Sequence, residues 1–408
     1  MGAHEAEKKK NLDDLKTTGG SSHTISIPAD VIQEIFKGLP VKSLARFVCV
    51  SKEYASFIRN RDFVKTYLMK SSDSPQSLIF TFEGKSSGKH FFFSSLQPQD
   101  RGELVSSALA VYHMKCHFHP YKTFAPSVNG LICYGPSCKL MVYNPSTRRS
   151  ITLPKIESMR IDIYHFLGYD PIDGDYKVLC MTKGDPVGKR YGLAQELRLL
   201  TLGKDKSWRM IEDFPLHFLD FHESPDICIH GVLYYRALLN EDGKSEAFMS
   251  FDVRSEKFDL IKGPELPLKH LSFPKLTCYE GKLAFVFSKC HNHIYSIELW
   301  VLEDAATHEW SMQSFSSPIT NGQPSCYYIY YYYFFHVYCA NDAGEFVLAP
   351  AFVERGPFDV LYYDPKKNRV RRVVIEGITG REDPLWNKDP NHRIISVIPG
   401  HANNLMFL

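Results

Sequence analysis

The chain has 408 residues, 44% of them hydrophobic and 23% charged, with 28 Phe and 23 Tyr. This is an ordinary globular composition, too long for a single core, and its aromatic load favours β-structure. A formal net charge of only +2 argues against a nucleic-acid or membrane-surface partner, and no run of about 18 apolar residues is present to span a membrane.

Residues 1–24 carry mixed charge, lack an apolar leader segment and end in "TTGGSS", so a disordered tail is expected. Gly2 does not complete a myristoylation motif, because position 6 is Ala6 rather than Ser or Thr. Ten cysteines at irregular spacing point to free thiols in a reducing compartment, and hence to a cytoplasmic or nuclear protein.

Residues 25–70 read as a small helical domain. Pro28 suits a first helical turn after Ser26 as cap, and Val31, Ile32, Ile35, Phe36 and Leu39 then recur at helical spacing. Gly38 and Pro40 end that helix. A second follows with Val41, Leu44, Phe47 and Val48, and a third starts at Ser51 and carries Tyr54, Phe57 and Ile58. Three short helices hold more apolar residues than they can bury among themselves, so the unit must dock on its own chain or on another protein.

Residues 76–408 are β-rich and repetitive. One family of turns starts at Gly84, Asn144, Gly203, Val253, Glu303 and Asp364, at intervals of 60, 59, 50, 50 and 61. A second starts at Asn129, Asp170, His230, Glu280, Asn341 and Gly400, at intervals of 41, 60, 50, 61 and 59. Two hairpins per repeat make four strands, and a four-stranded unit every 50–60 residues indicates a six-bladed β-propeller; a sandwich would not space its turns so evenly. The first outer hairpin, at Gly84, has no inner partner before it, and the last inner hairpin, "ISVIPGHANNLMFL", has no outer one after it. The two are expected to pair and close the ring. The aromatic run Tyr327–Tyr338 reads as a buried strand.

Motifs for chemistry are missing. "GKSSGKH" at Gly84 has too few residues between its glycines for a phosphate loop and lies between strands. His113, Cys116, His117 and His119, and likewise Cys290, His291 and His293, lack the second cluster that a structural zinc site needs. No nucleophile elbow or zinc-protease motif occurs. No cofactor, no metal and no catalytic residue is expected.

The stretch Ile27–Ile58 resembles an F-box, through Ile27–Pro28, then Val31, Ile32, Ile35 and Leu39, then "LPVKSLARFVCVSK" from Leu39 to Lys52. It departs from the family pattern at Gly38, at Val48 in place of Arg and at Tyr54 in place of Trp. "SVNGLICY", "VYNPSTRRSITLP" and "LGYDPIDGDYKVL" are similar to the recurring strands of the kelch-like F-box-associated domain of plant F-box proteins. The resemblance implies the substrate-recognition subunit of an SCF-type cullin–RING ubiquitin ligase, non-catalytic itself. Its F-box would bind a Skp-type adaptor, and through it a cullin, with Ile27, Pro28, Val31, Ile35, Leu39, Pro40, Val41, Leu44 and Val48 facing the adaptor. Phe36 and Phe57 are read as core. The propeller would capture a protein substrate.

Strand alternation puts both short-turn families on one face and the long connections on the other. In the long connections, Phe218, Phe221, His222, Arg381 and Trp386 are the anchors suited to substrate binding. Alternative readings are a propeller that senses a small ligand, or a scaffold working outside any ligase.

Overall fold

The structure, a computed structural model, describes residues 27–72, 77–84, 89–98, 100, 102–117, 127–135, 139–157, 163–184, 191–220, 226–240, 245–264, 275–291, 294–317, 335–350, 352–353, 358–378 and 392–406. It divides into two compact units, residues 1–40 and 41–408.

In the first unit, α1 (Ala29–Lys37) is amphipathic. Pro28 stands just before the helix rather than in its first turn: its ψ of 145° is extended, and its carbonyl accepts from Ile32 N at 3.0 Å. Ser26, expected as the cap, lies outside the described residues. The helix closes with Gly38 N donating to the Ile35 carbonyl and Leu39 N to the Phe36 carbonyl, both at 3.1 Å.

The second unit opens with α2 (Val41–Phe47), α3 (Lys52–Ile58) and α4 (Arg61–Ser72). The Ser51 side chain caps α3 by accepting from Tyr54 N at 3.0 Å. The chain thus has four described helices where three were expected. The signal for α4 was short and polar: Asn60 Oδ1 accepts from Asp62 N at 2.8 Å and Phe63 N at 3.3 Å, an N-cap that starts a new helix two residues after α3 ends.

The rest is β-structure, antiparallel but for one parallel pair of strands. β1 (Ser77–Gly84), β2 (Lys89–Leu96) and β3 (Val105–His117) form a meander. β4 (Ile132–Tyr134), β5 (Met141–Asn144) and β6 (Arg149–Thr152) form the next sheet. Then come β7 (Ile163–Asp170), β8 (Asp175–Gly184), β9 (Tyr191–Thr201) and β10 (Arg209–Ile211). The short β11 (Phe218–Asp220) leads to β12 (Asp226–Ile229), β13 (Val232–Leu238), β14 (Glu246–Asp252) and β15 (Phe258–Lys262). β16 (Lys275–Tyr279), β17 (Lys282–His291), β18 (Ile294–Asp304) and β19 (Glu309–Ser317) make a separate four-stranded sheet. The last set is β20 (Phe335–Ala340), β21 (Phe346–Pro350), β22 (Phe352–Val353), β23 (Phe358–Asp364) and β24 (Arg369–Glu376), followed by β25 (His392–His401).

Successive groups of strands stand side by side: β4 lies against β7, β7 against β12, β12 against β16, β16 against β20, and β20 against β25. Aromatic rings fill the spaces between these groups. Phe166 stacks on Tyr235 at 4.6 Å, Phe248 on Phe285 at 5.6 Å, and Phe80 meets Phe358 edge-on at 5.4 Å.

Two turn types explain the spacing. At Asn129–Gly130, His230–Gly231 and Glu280–Gly281 both residues have positive φ, the two-residue hairpin turn whose twist matches the strands. A Cβ on Gly130 would also lie 2.5 Å from the Ala402 carbonyl oxygen. The outer turns share another plan. Asn144, Asp252, Asp304 and Asp364 each accept from backbone N–H groups two or three residues ahead. Four residues on from each, Arg148, Glu256, His308 and Asn368 take positive φ.

The Gly84 turn does not belong to this family. β1 runs antiparallel to β25 with Ser77 opposite His401 and Gly84 opposite His392, so the Gly84 turn sits at the far end from Gly400. The true outer turn of this sheet is the β2–β3 connection, where Asp100 Oδ1 accepts from Gly102 N at 2.9 Å and Asp100 pairs with Arg369 and Lys367. The two ends of the domain do pair, as expected, but as one C-terminal strand with three N-terminal ones. Residues 402–406 are not a second strand. Asn144 and Asn404 hold them instead: Asn144 Nδ2 donates to the Asn404 and Met406 carbonyls at 3.1 and 2.9 Å, and Asn404 Nδ2 donates to the Asn129 carbonyl and Tyr176 Oη, both at 2.6 Å.

The closing sheet is tied to its neighbour twice. β24 pairs in parallel with β3, Arg372 opposite Val105 through Glu376 opposite Leu109. Beside it Arg371 forms a buried bidentate pair with Glu345, at 3.0 and 2.7 Å. Arg371 Nη1 also donates to the Pro98 carbonyl at 3.1 Å, and its guanidinium lies 3.8 Å from the centre of the Tyr362 ring.

Candidate functional site

On α1, Val31 and Ile35 are 44% and 49% exposed, and four apart they share one face of the helix. Just outside the helix Ile27 is 46% exposed, and Pro28 and Pro40 are also exposed. Exposed β-branched apolar side chains gathered in this way are the type of surface that a protein partner covers. Leu39 and Val48 are half-buried. Val41 and Leu44 lie inside, at 5% and 0% exposure, and are not displayed to a partner. Helical periodicity made them apolar-face residues, but periodicity does not tell which face is already covered. Phe36 is buried, and Phe57 is half-buried with its ring 5.0 Å from that of Phe63.

Within the second unit, α4 fastens the helices to the β-domain. Arg61 Nη2 donates to the Asp173 carbonyl at 2.5 Å and pairs with the Asp175 carboxylate. Lys65 Nζ donates to the Ile172 carbonyl, and Asn403 N donates to Ser71 Oγ at 2.9 Å. Leu68 enters the cluster of Val128, Leu131, Leu167, Tyr169 and Ala402. All these partners lie in or beside the short turns, where charges also join adjacent turns: Asp173 with Arg254 at 3.4 Å, Glu256 with Lys177 at 2.6 Å, and Glu280 with Lys366 at 2.9 Å. The short-turn end of the β-domain is therefore the end that holds α4.

Antiparallel pairing brings Gly184 beside Leu193, Leu238 beside Glu246, and His291 beside Ile294 at the opposite end. Of the residues expected there, Phe221, His222, Arg381 and Trp386 lie outside the described residues. Phe218 is described and half-buried. It sits in β11, bonded to Leu193 of β9 and Leu238 of β13, and so splices two sheets together. Beside it His217 is buried, with Nδ1 2.7 Å from the Pro215 carbonyl and Nε2 3.2 Å from Tyr235 Oη; burial lowers its pKa from the ordinary value. The displayed apolar residue of this segment is Leu216, at 70% exposure. It escaped notice in the sequence because a lone Leu after Pro215 carries no pattern.

Among the described residues no group of three His, Cys, Asp or Glu side chains could hold a metal ion, and His113 has its Nε2 2.8 Å from Ser94 Oγ. Cys133 and Cys339 are buried, and burial pushes both thiols well above the ordinary range. Among the described residues no helix is long and apolar enough to cross a membrane.

Comparison with known proteins agrees with both parts. Residues 25–66 match the F-box domain, and residues 77–402 match the F-box associated beta propeller domain. The chain is 55% identical over 418 residues to the F-box protein At2g21930 of Arabidopsis thaliana, covering all of both chains. It is 44% identical to the putative F-box protein At4g38870 of the same plant, over 96% of this chain and 90% of that one. A third relative, the putative F-box protein At1g47790, is 36% identical over 99% of this chain and its own full length. With an amphipathic helix displaying apolar residues, a β-domain whose two ends pair after it, and these matches along nearly its whole length, the chain belongs to the F-box proteins that carry an F-box associated β-propeller domain.

Proposed function

We propose that this protein is the substrate-recognition subunit of an SCF-type cullin–RING ubiquitin ligase, working in the cytoplasm or nucleus. The observation that carries the reading is the exposed pair Val31 and Ile35 on an F-box helix, with Ile27 exposed just before it. A Skp-type adaptor covers these residues and links them to a cullin. On this reading the strands divide into six propeller blades, a division supported by the meander β1–β3 pairing with strand β25 to join the two ends of the domain. The end of this propeller away from α4 takes a protein substrate. The chain itself performs no bond chemistry. Holding the substrate beside a ubiquitin-loaded enzyme turns an encounter in solution into one within a complex, at an effective concentration set by the assembly.

A pull-down of the full chain with a Skp-type adaptor tests this. The variant Val31→Asp, Ile35→Asp changes only displayed side chains and is expected to abolish capture while the melting curve stays in place. Buried Leu44 is unsuitable as a probe, since its loss disturbs the fold. Failure of the folded native chain to bind the adaptor would end the ligase reading.

A further inference from the structure

The sheet β4–β6 is one strand short. Its neighbours run four deep, as β7–β10 on one side and β25 with β1–β3 on the other, whereas β4–β6 has three strands among the described residues and ends at β6. Leu153 N donates to the Leu140 carbonyl at 2.8 Å, which makes 140–153, 142–151 and 144–149 the hydrogen-bonded pairs of β5 and β6. Ser150 and Thr152 therefore turn their N–H and C=O groups away from β5, and among the described residues no hydrogen bond meets these groups. The missing strand also leaves the adjacent sheet bare. Ile79 of β1, Phe92 of β2 and Ile398 of β25 pack on Ile132, Tyr134 and Tyr143 of β4 and β5. Strand alternation puts Leu96 of β2 and Val105, Leu109 and Val111 of β3 on that same face, with Ser94 opposite Val111. No strand lies beyond β6 to cover them, and they are 64%, 58%, 68% and 42% exposed. Apolar side chains displayed together in this way mark an interaction surface.

We propose that the open position beside β6 receives an extended segment of another protein, which adds a fourth strand to this sheet and lays its alternate apolar side chains on Leu96, Leu109 and Val111. The unmet backbone groups of Ser150 and Thr152 call for a strand rather than a helix, and the floor beneath sets apolar residues at every second position. Charge sets the others. Arg149 lies on the opposite face of β6 from Ser150 and Thr152, and it and the adjacent Arg148 are exposed with no ion pair among the described residues. The residues of the segment that share the face of Arg149 are therefore acidic. Glu376, opposite Leu109 on β24, stands at the far margin of the floor and disfavours acids on the apolar side. The occupant is a strand in which apolar and acidic residues alternate. So short an edge makes a contact well below a standard interface, and the segment binds at micromolar concentration or weaker. The site lies on the side of the β-domain and needs no adaptor, so it stands or falls apart from the ligase reading.

A display library of random peptides about nine residues long, selected on the full native chain and depleted on the variant Leu109→Ser, Val111→Ser, tests this. Both substitutions lie on displayed side chains, so the melting curve is expected to stay in place. The enriched sequences are expected to alternate apolar and acidic residues. In fluorescence anisotropy a synthetic peptide of the leading sequence is expected to bind the native chain, and to lose at least about tenfold in affinity with the serine variant, with Arg149→Glu, and with Ser150→Pro, which removes an N–H that β5 does not use. Hydrogen exchange at Ser150 and Thr152 is expected to slow when the peptide binds. No enrichment, enrichment of basic or non-alternating sequences, an affinity that Ser150→Pro leaves unchanged, or Ser150 and Thr152 amides already protected in the free chain would each overturn the proposal. The last outcome would show that the chain covers this edge itself.

Discussion

Replacing Arg371 by Met removes one half of a buried ion pair and leaves the other half in place. Glu345 then keeps only Asn341 Nδ2, 2.9 Å away, and loses both guanidinium bonds. The Pro98 carbonyl loses its donor and Tyr362 its cation. Stranding one buried charge costs about 3–5 kcal/mol. For a domain of roughly 330 residues the unfolding entropy is about 0.7 kcal/mol per kelvin, so the melting midpoint should fall by about 4–7 °C. The double variant Arg371→Met, Glu345→Leu removes both charges and should recover most of that loss. Near-ultraviolet circular dichroism melts of the propeller domain, with reversibility checked by a second scan, measure it. A single variant within about 1 °C of the native protein would refute the reasoning, and so would a double variant that melts below the single one.

Asn404→Ala should cost about 1–3 kcal/mol, since it unpairs the Met406 N–H and takes one of two donors from the Asn129 carbonyl, which keeps Tyr176 Oη; urea unfolding reads this directly. His308→Gly should stabilise the domain by about 0.5–1 kcal/mol, because His308 holds φ at 58°, a region glycine enters freely, and a rise in urea midpoint at constant slope would show it. Burial holds His401 down to about 3 and His90 down to about 4, so the fold keeps both neutral while the unfolded chain takes up protons near 6.5. Their contribution is complete above pH 6.5 and is lost as pH falls from there toward 4, by about 2 kcal/mol per histidine at pH 5; His401→Gln should flatten the profile of stability against pH.

Much of this was legible along the chain because the signals are local. Gly130, Gly231 and Gly281 announce the inner turns, and an Asn or Asp four residues before an αL residue marks the outer ones. Their spacing was enough to expect propeller repeats and to pair the two ends of the domain. The F-box pattern from Ile27 to Lys52 was legible for the same reason: its residues are close in sequence. What was misread was set by contacts between distant residues. The Gly84 turn looks like any other Gly–Lys turn, and only the register of β1 on β25 puts it at the opposite end. α4 was overlooked because its strongest anchors, Asp173, Asp175, Ile172 and Asn403, lie more than a hundred residues downstream.

The sequence by itself therefore determined the order of helical and β parts, the position of most turns and the family, because turn chemistry and helical periodicity act over a few residues. The tertiary structure alone decided which apolar residues are displayed. Val31 and Val41 are alike in the sequence, yet one is 44% exposed and the other 5%. It also decided which long outer strand finds a partner strand. β19 and β24 are similar in length, but β24 finds β3 across 260 residues of chain and β19 finds no such partner among the described residues. Burial and edge pairing depend on what arrives from elsewhere in the chain, and that is not written in the neighbourhood of the residue.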